Sequence, residues 1–111
     1  MGSVNAIVPS GVRAIGRNAF TKCVIKCLEI PNSVTTLEYA VFSYLRRDVY
    51  VWVPSSVVNI SERLNDNTSL KMYCEANSQP AGWNSNWNTG SGTIVYWGST
   101  FQDYLDAIEN L

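Results

Sequence analysis

Residues 28–42 read LEIPNSVTTLEYAVF, and variants of this stretch lie on both sides of it. The upstream copy is VPSGVRAIGRNAF at residues 8–20, and the downstream copy is VPSSVVNI at residues 53–60. The prolines Pro9, Pro31 and Pro54 are 22 and 23 residues apart. A period of about 20–50 residues is typical of solenoids, in which each repeat forms one coil and stacks on its neighbours. The chain is therefore a repeat protein.

Each repeat has the same order of parts. A short strand with alternating apolar residues comes first, and proline ends it because proline cannot donate a ladder hydrogen bond. A turn, apolar residues three apart, and a 3-10 or short helical segment carrying Ala19-Phe20 or Val41-Phe42 follow. We predict an α/β solenoid of about three to four coils with short parallel strands. The strand residues expected to face inward are Ala6, Val8, Leu28, Ile30, Val51, Val53, Leu70, Met72 and Cys74.

The period is expected to stop between residues 76 and 92. This segment is rich in Asn, Ser and Gly, but a flexible linker seldom carries tryptophans such as Trp83 and Trp87. We expect a structured loop that folds these rings over the open end of the stack. After a last strand at 93–98, Thr100 as N-cap and one apolar face predict a terminal helix. We expect a single domain, 1–111, with repeats at 4–75, an aromatic C-terminal cap at 76–98 and a helix at 99–111.

Composition mainly argues against nucleic-acid binding, membrane insertion and secretion. Charged residues make up 15% of the chain and the net charge is −1, so no global field favours nucleic acid or an anionic membrane. No stretch reaches the roughly 18 apolar residues of a membrane-spanning helix. Three cysteines, Cys23, Cys27 and Cys74, are expected to be reduced and buried. Their odd number and the lack of a signal peptide favour a cytoplasmic location.

The sequence shows no catalytic pattern. The chain has no histidine, so a serine triad and the commonest general base are both missing. The cysteine spacing is a poor metal site, and the glycines at 90 and 92 lack the lysine of a phosphate loop. We expect no enzyme activity, no metal and no cofactor.

Several stretches resemble the BspA-type bacterial leucine-rich repeats. The closest is VRAIGRNAFTKC at residues 12–23, and IPNSVTTL at residues 30–37 is similar to the first half of the family's repeat. This family is common in bacterial surface proteins and also occurs in phage-encoded proteins. The resemblance implies a leucine-rich-repeat fold and a role in binding proteins or surfaces, and it implies no enzyme activity.

Candidate partner-binding residues lie on the outward face of the strands. Tyr50, Trp52 and Tyr73 are expected to form an exposed aromatic patch, with Glu29 and Glu75 on the track of Trp52 and with Tyr73 on that of Tyr50. Tyr and Trp anchor many interfaces, but cross-strand pairing for sheet stability explains these residues equally well.

Arg46 and Arg47 form an insertion where the family has a small loop. They suit an acidic partner, although solvated arginines are the simpler explanation.

The N-terminal end of the stack is expected to be open. Three explanations remain: the chain is the last segment of a longer protein, it forms a homodimer through that end, or it docks that end, or the terminal helix, on a partner. We expect a protein–protein interaction module, such as a small phage or mobile-element protein that inhibits a bacterial host complex. The alternative is a structural or adhesive C-terminal segment or subunit of a larger bacterial surface or virion assembly.

Overall fold

The computed structural model describes residues 5–20, 25–45, 48–109 and 111. Within these ranges the chain forms eight strands and a C-terminal helix. These are β1 (Asn5–Ile7), β2 (Ala14–Ile15), β3 (Cys27–Glu29), β4 (Thr36–Leu37), β5 (Val49–Val53), β6 (Asn59–Ile60), β7 (Leu70–Cys74), β8 (Ile94–Trp97) and α1 (Phe101–Ile108).

The strands form two parallel sheets that face each other. The large sheet has the order β1-β3-β5-β7-β8, and the small sheet has the order β2-β4-β6. From β1 to β7 the chain passes alternately through the two sheets, so each pass makes one coil and places like strands side by side. The predicted solenoid with parallel strands is confirmed.

An aliphatic core fills the space between the two sheets. The inward-facing residues predicted from β3, β5 and β7 and from the residues just after β3 are fully buried, as the sequence pattern requires: Leu28, Ile30, Val51, Val53, Leu70, Met72 and Cys74. Val34, Leu37, Val57 and Ile60 meet them from the other side. Full burial of each such aliphatic side chain stabilises the fold by roughly 1.5–3 kcal/mol, so the repeated residues hold the coils together.

The segments expected to be helical form turns instead. Asn18, Ala40 and Arg63 occupy the same corner of successive coils, and their φ angles are 61°, 61° and 54°. A residue in this left-handed region cannot continue a right-handed helix. The coils are linked at these corners by backbone hydrogen bonds, such as the one that the Phe42 N–H donates to the Leu64 carbonyl.

Asn65 stands where the earlier coils place Phe20 and Phe42, and it is also fully buried. Phe20 and Phe42 stack with ring centroids 6.0 Å apart. The Asn65 amide donates to Asn88 Oδ1 at 3.0 Å and accepts from the Thr89 N–H at 3.0 Å. These bonds compensate the desolvation of a buried amide, so the column changes from ring stacking to amide hydrogen bonding.

The expectation that the period stops at residue 76 is wrong. Trp83 pairs with Ile60, and the Leu64 N–H donates to the Trp87 carbonyl at 2.8 Å, so both tryptophans continue columns at a spacing of 23 residues. Both rings are buried, with their centroids 5.4 Å apart, and the Trp83 indole N–H donates to the Val57 carbonyl. The aromatic cap is confirmed, but it is a further coil in which large rings replace aliphatic side chains.

Candidate binding surface

Helix α1 is held against the outer face of the large sheet. The chain turns at Gly98, whose φ of 69° suits glycine, and Gly98 and Ser99 donate backbone hydrogen bonds to the Ala76 and Cys74 carbonyls, each at 2.8 Å. Thr100 and Asp103 then form a capping box at the N-terminus of the helix. Thr100 Oγ1 accepts from the Asp103 N–H, and the Thr100 N–H donates to Asp103 Oδ2. This tether leaves α1 lying over β5 and β7.

An aromatic cluster fills the contact between α1 and the sheet. We use this name for Tyr50, Trp52, Tyr73, Tyr96, Phe101 and Tyr104. Tyr104 lies at its centre and is 2% exposed, with its ring 6.5 Å from Trp52 and 6.3 Å from Tyr73. Tyr73 stacks on Tyr96 at 4.6 Å. Each face of the large sheet therefore packs against its own core, an aliphatic one on the inner face and an aromatic one on the outer face.

The expectation that Trp52 is exposed is wrong. Its side chain points to the outer face as predicted, but it is 7% exposed because Phe101 and Tyr104 of α1 cover it. Tyr50, Tyr73 and Glu29 are half-buried on the same face. The apolar side of α1 was evident from its periodicity, whereas its place on the sheet depends on tertiary contacts.

The predicted pairing of outward residues between β5 and β7 is also wrong: the observed register differs from the prediction by two residues. Trp52 lies opposite Glu29 on one side, as expected, but opposite Tyr73 on the other, while Tyr50 lies opposite Lys71. The cause is a shorter link between β6 and β7 than between β4 and β5. The longer link contains Arg46 and Arg47, which lie outside the described residues. This shift brings Trp52 and Tyr73 together under α1.

Three ionisable groups between α1 and the large sheet have raised pKa values. Burial raises the pKa of the Cys27 thiol and of the Tyr73 and Tyr104 hydroxyls, because the charged form of each group would lose its solvation. Burial also raises the pKa of Cys74, in the aliphatic core, to about 12. Neither thiol is therefore a thiolate near neutral pH, which is the form that a cysteine nucleophile needs.

Two grooves flank α1. The larger one, about 420 Å³, lies at the carboxyl ends of β3, β5 and β7, and we call it the Phe101 groove. It is lined by Glu29, Ile30, Pro31, Asn32, Trp52, Glu75 and Phe101. A smaller groove of about 290 Å³ lies at the other end of the helix and is lined by Lys26, Asp48, Tyr50 and Leu111. Glu29, Trp52 and Tyr50, predicted as binding residues, thus reach one groove or the other.

A third groove, of about 410 Å³, was missed by the sequence reasoning. It lies among the coil corners and is lined by Tyr44, Arg63, Asp66, Asn67, Asn86 and Thr89. The Arg63 guanidinium donates to Asp66 Oδ2 at 2.6 Å and lowers the pKa of that carboxyl. Internal pairing uses the charges of this groove, so it is a weaker binding candidate than the α1 region.

The described part of the chain has no candidate metal site and no candidate membrane-spanning helix. Its Cys, Asp and Glu side chains form no group of three or more that suits a metal ion. No helix within residues 5–20, 25–45, 48–109 and 111 has the length and apolar character needed to cross a membrane.

The geometry defines a class, a short β-solenoid of stacked repeats with a helix docked on one sheet face. The family model for the BspA type leucine rich repeat region matches residues 3–79 in six copies, and the chain belongs to this family. No curated protein and no solved structure matches the chain. Leucine-rich-repeat proteins generally mediate protein interactions, and their solenoids are typically non-enzymatic.

Proposed function

We propose that this chain is a non-enzymatic protein-interaction module that binds its partner through the α1 face. This name covers α1, the flanking outer residues of β3, β5, β7 and β8, and the Phe101 groove. One observation carries the proposal: this face already seats an amphipathic helix on an aromatic cluster, and it still leaves large apolar side chains exposed. Those side chains are Ile94, Tyr96, Phe101 and Leu105.

The exposed residues have the character of an interface. Phe101 is 37% exposed although its ring packs against Trp52 at 5.5 Å, so it is held rigid while part of it faces solvent. Tyr96 is likewise exposed while stacked on Tyr73. Rigid aromatic side chains add contact area with little loss of rotamer freedom on binding. The buried Trp52 and the half-buried Tyr73 therefore hold the exposed Phe101 and Tyr96 rings in place.

The candidate residues have different parts in this proposal. Glu29 and Trp52 contribute to the Phe101 groove, Tyr50 contributes to the smaller groove, and Tyr73 supports Tyr96. The contact of Arg46 and Arg47 with an acidic partner stays a prediction.

The narrower expectations also stay predictions. The fold favours protein binding but does not identify the bound protein, so neither the inhibitor of a bacterial host complex nor the segment of a surface or virion assembly is preferred. At the N-terminal end of the stack, Val8, Val12 and Phe20 are half-buried, whereas Ile30, Val34 and Phe42 in the next coil are fully buried. The homodimer expected there is tested by sedimentation of the purified chain.

Photo-crosslinking tests the proposed surface. Leu105 on α1 and Val58 next to β6 are both exposed apolar residues, 36% and 45% respectively, and thus form a matched pair. A photo-reactive amino acid is placed at either position, and the chain is irradiated in a bacterial lysate. We expect a defined protein adduct from position 105 and none from position 58. Adducts from position 58 alone, or equal adducts from both, would overturn the proposal.

A further inference from the structure

We propose that the Phe101 groove binds an arginine or lysine side chain of a protein partner. The inference rests on the proposed function for the existence of a partner, but the groove itself can be tested without one. It is argued from the carboxylates, the aromatic rings and the charge distribution around the groove.

Two carboxylates line the groove, and neither is paired with a cation in the described part of the chain. Ion pairs in the described part of the chain join Arg63 to Asp66 and Lys71 to Asp48, and neither includes Glu29 or Glu75. Glu75 Oε1 accepts the Ser55 N–H at 2.9 Å, which fixes the carboxylate and leaves its second oxygen for a ligand. Glu29 is half-buried beside Trp52, so a cation entering the groove would meet both carboxylates.

Aromatic rings form the apolar part of the groove. Phe101 and Trp52 both line it, and their rings meet edge to face with centroids 5.5 Å apart and an angle of 75° between their planes. Ile30 and Pro31 add aliphatic surface. A basic side chain has the matching chemistry, because its methylene stem packs on apolar surface and its charged end is attracted to ring faces and carboxylates.

Charges around the groove point to the same occupant. Asp103, at the N-terminus of α1, places a further carboxylate near Tyr73 and offsets the partial positive charge of the helix end. None of the basic residues that the structure describes lines the groove: Arg17 lies over the Tyr39 ring, Arg63 beside Asp66, and Lys26 and Lys71 near Asp48. Arg13 is likewise outside the groove's lining. Lys22, Arg46 and Arg47 lie outside the described residues. The net charge of −1 therefore conceals an acidic end of the α1 face, which would steer a basic surface towards it.

An NMR titration of the full-length chain tests the groove directly. The probe is N-acetyl-arginine amide, and N-acetyl-citrulline amide is the matched neutral ligand with nearly the same shape. We expect the arginine probe to shift the amide signals of Glu29, Ile30, Asn32 and Phe101 and the Trp52 indole signal, and the citrulline probe to leave them in place. The double variant Glu29→Gln/Glu75→Gln should bind the arginine probe about fivefold more weakly, since exposed ion pairs contribute modestly.

Control variants separate charge from folding. Glu38→Gln/Glu62→Gln makes the same change away from the groove and should leave arginine binding unchanged. Phe101→Leu keeps an apolar contact with Trp52 but removes the ring, and it should weaken binding about twofold. Equal shifts with both probes, or unchanged arginine binding by the Glu29→Gln/Glu75→Gln variant, would overturn the assignment.

The two proposals fail separately. A protein crosslinked at position 105 combined with no arginine binding would overturn the groove assignment alone. Arginine binding in the groove combined with no crosslinked protein would overturn the proposed function alone.

Discussion

The two faces of the large sheet are buried by different means. The inner face is aliphatic, repeats from coil to coil, and packs against the small sheet. The outer face is aromatic, differs in every strand, and packs against one helix of eight residues. Residues that repeat along the sequence build the scaffold, because every coil must bury the same positions. Residues that break the repeat build the surface that we assign to binding.

Truncation of the inner face should have the largest effect. Leu28 and Leu64 are fully buried in the aliphatic core, and Leu→Ala at either position should lower the free energy of unfolding by about 3–5 kcal/mol, through lost burial and a residual cavity. Urea unfolding followed by far-UV circular dichroism measures this, with Val58→Ala as the exposed control. A loss below about 1 kcal/mol would mean that the two faces do not differ as described.

Truncation of the outer face should release α1 and leave the solenoid folded. Tyr104→Ala removes the centre of the aromatic cluster, and we expect loss of about 3 kcal/mol of local stability in the helix. Hydrogen exchange should show faster exchange of the α1 amides and unchanged protection in β3, β5 and β7. Asp106→Ala, on the exposed side of α1, is the control. Loss of protection throughout the sheet would contradict the separation into two cores.

High pH should destabilise the chain through its buried thiols. Cys74 has an ordinary pKa of 9.0 when unfolded and about 12 when folded, so above pH 9 the unfolded state binds fewer protons and stability falls as pH rises. The loss should reach about 2 kcal/mol at a pH of about 10.5. Urea unfolding at pH 8 and 10.5 measures it. Cys74→Ala should reduce this pH dependence, and an unchanged dependence in that variant would contradict the assignment.

Relief of backbone strain at a corner should have the smallest effect. Tyr44 is 55% exposed with a φ of 60°, a conformation that costs a non-glycine residue roughly 1 kcal/mol. Tyr44→Gly should therefore raise the free energy of unfolding by up to about 1 kcal/mol. Val58→Gly, at a position outside the left-handed region, should lower it by a similar amount. Thermal unfolding compares the two, and destabilisation by both would show that the φ of Tyr44 carries no strain.

The sequence was sufficient for the inner face and insufficient for the outer one. Leu28, Val51 and Met72 follow from alternation in strands that repeat, and the Thr100 cap follows from local hydrogen bonding. The pairing of Trp52 with Tyr73 depends on the length of the link after β6, which apolar spacing does not fix. The period through Trp83 was hidden because tryptophan replaces isoleucine in its column. The Phe101 groove exists only once α1 docks, so local patterns do not reveal it.

Binding by the α1 face is the central claim, and paired substitutions on the two sides of the molecule test it most directly. Leu105→Asp and Val58→Asp each place one new carboxylate at an exposed apolar site, on α1 and beside β6 respectively. The measurement is the affinity of each variant, by titration calorimetry, for the protein crosslinked at position 105. We predict about tenfold weaker binding for Leu105→Asp, as expected at an interface residue, and a change within about twofold for Val58→Asp. Equal losses, or a loss confined to Val58→Asp, would contradict the claim.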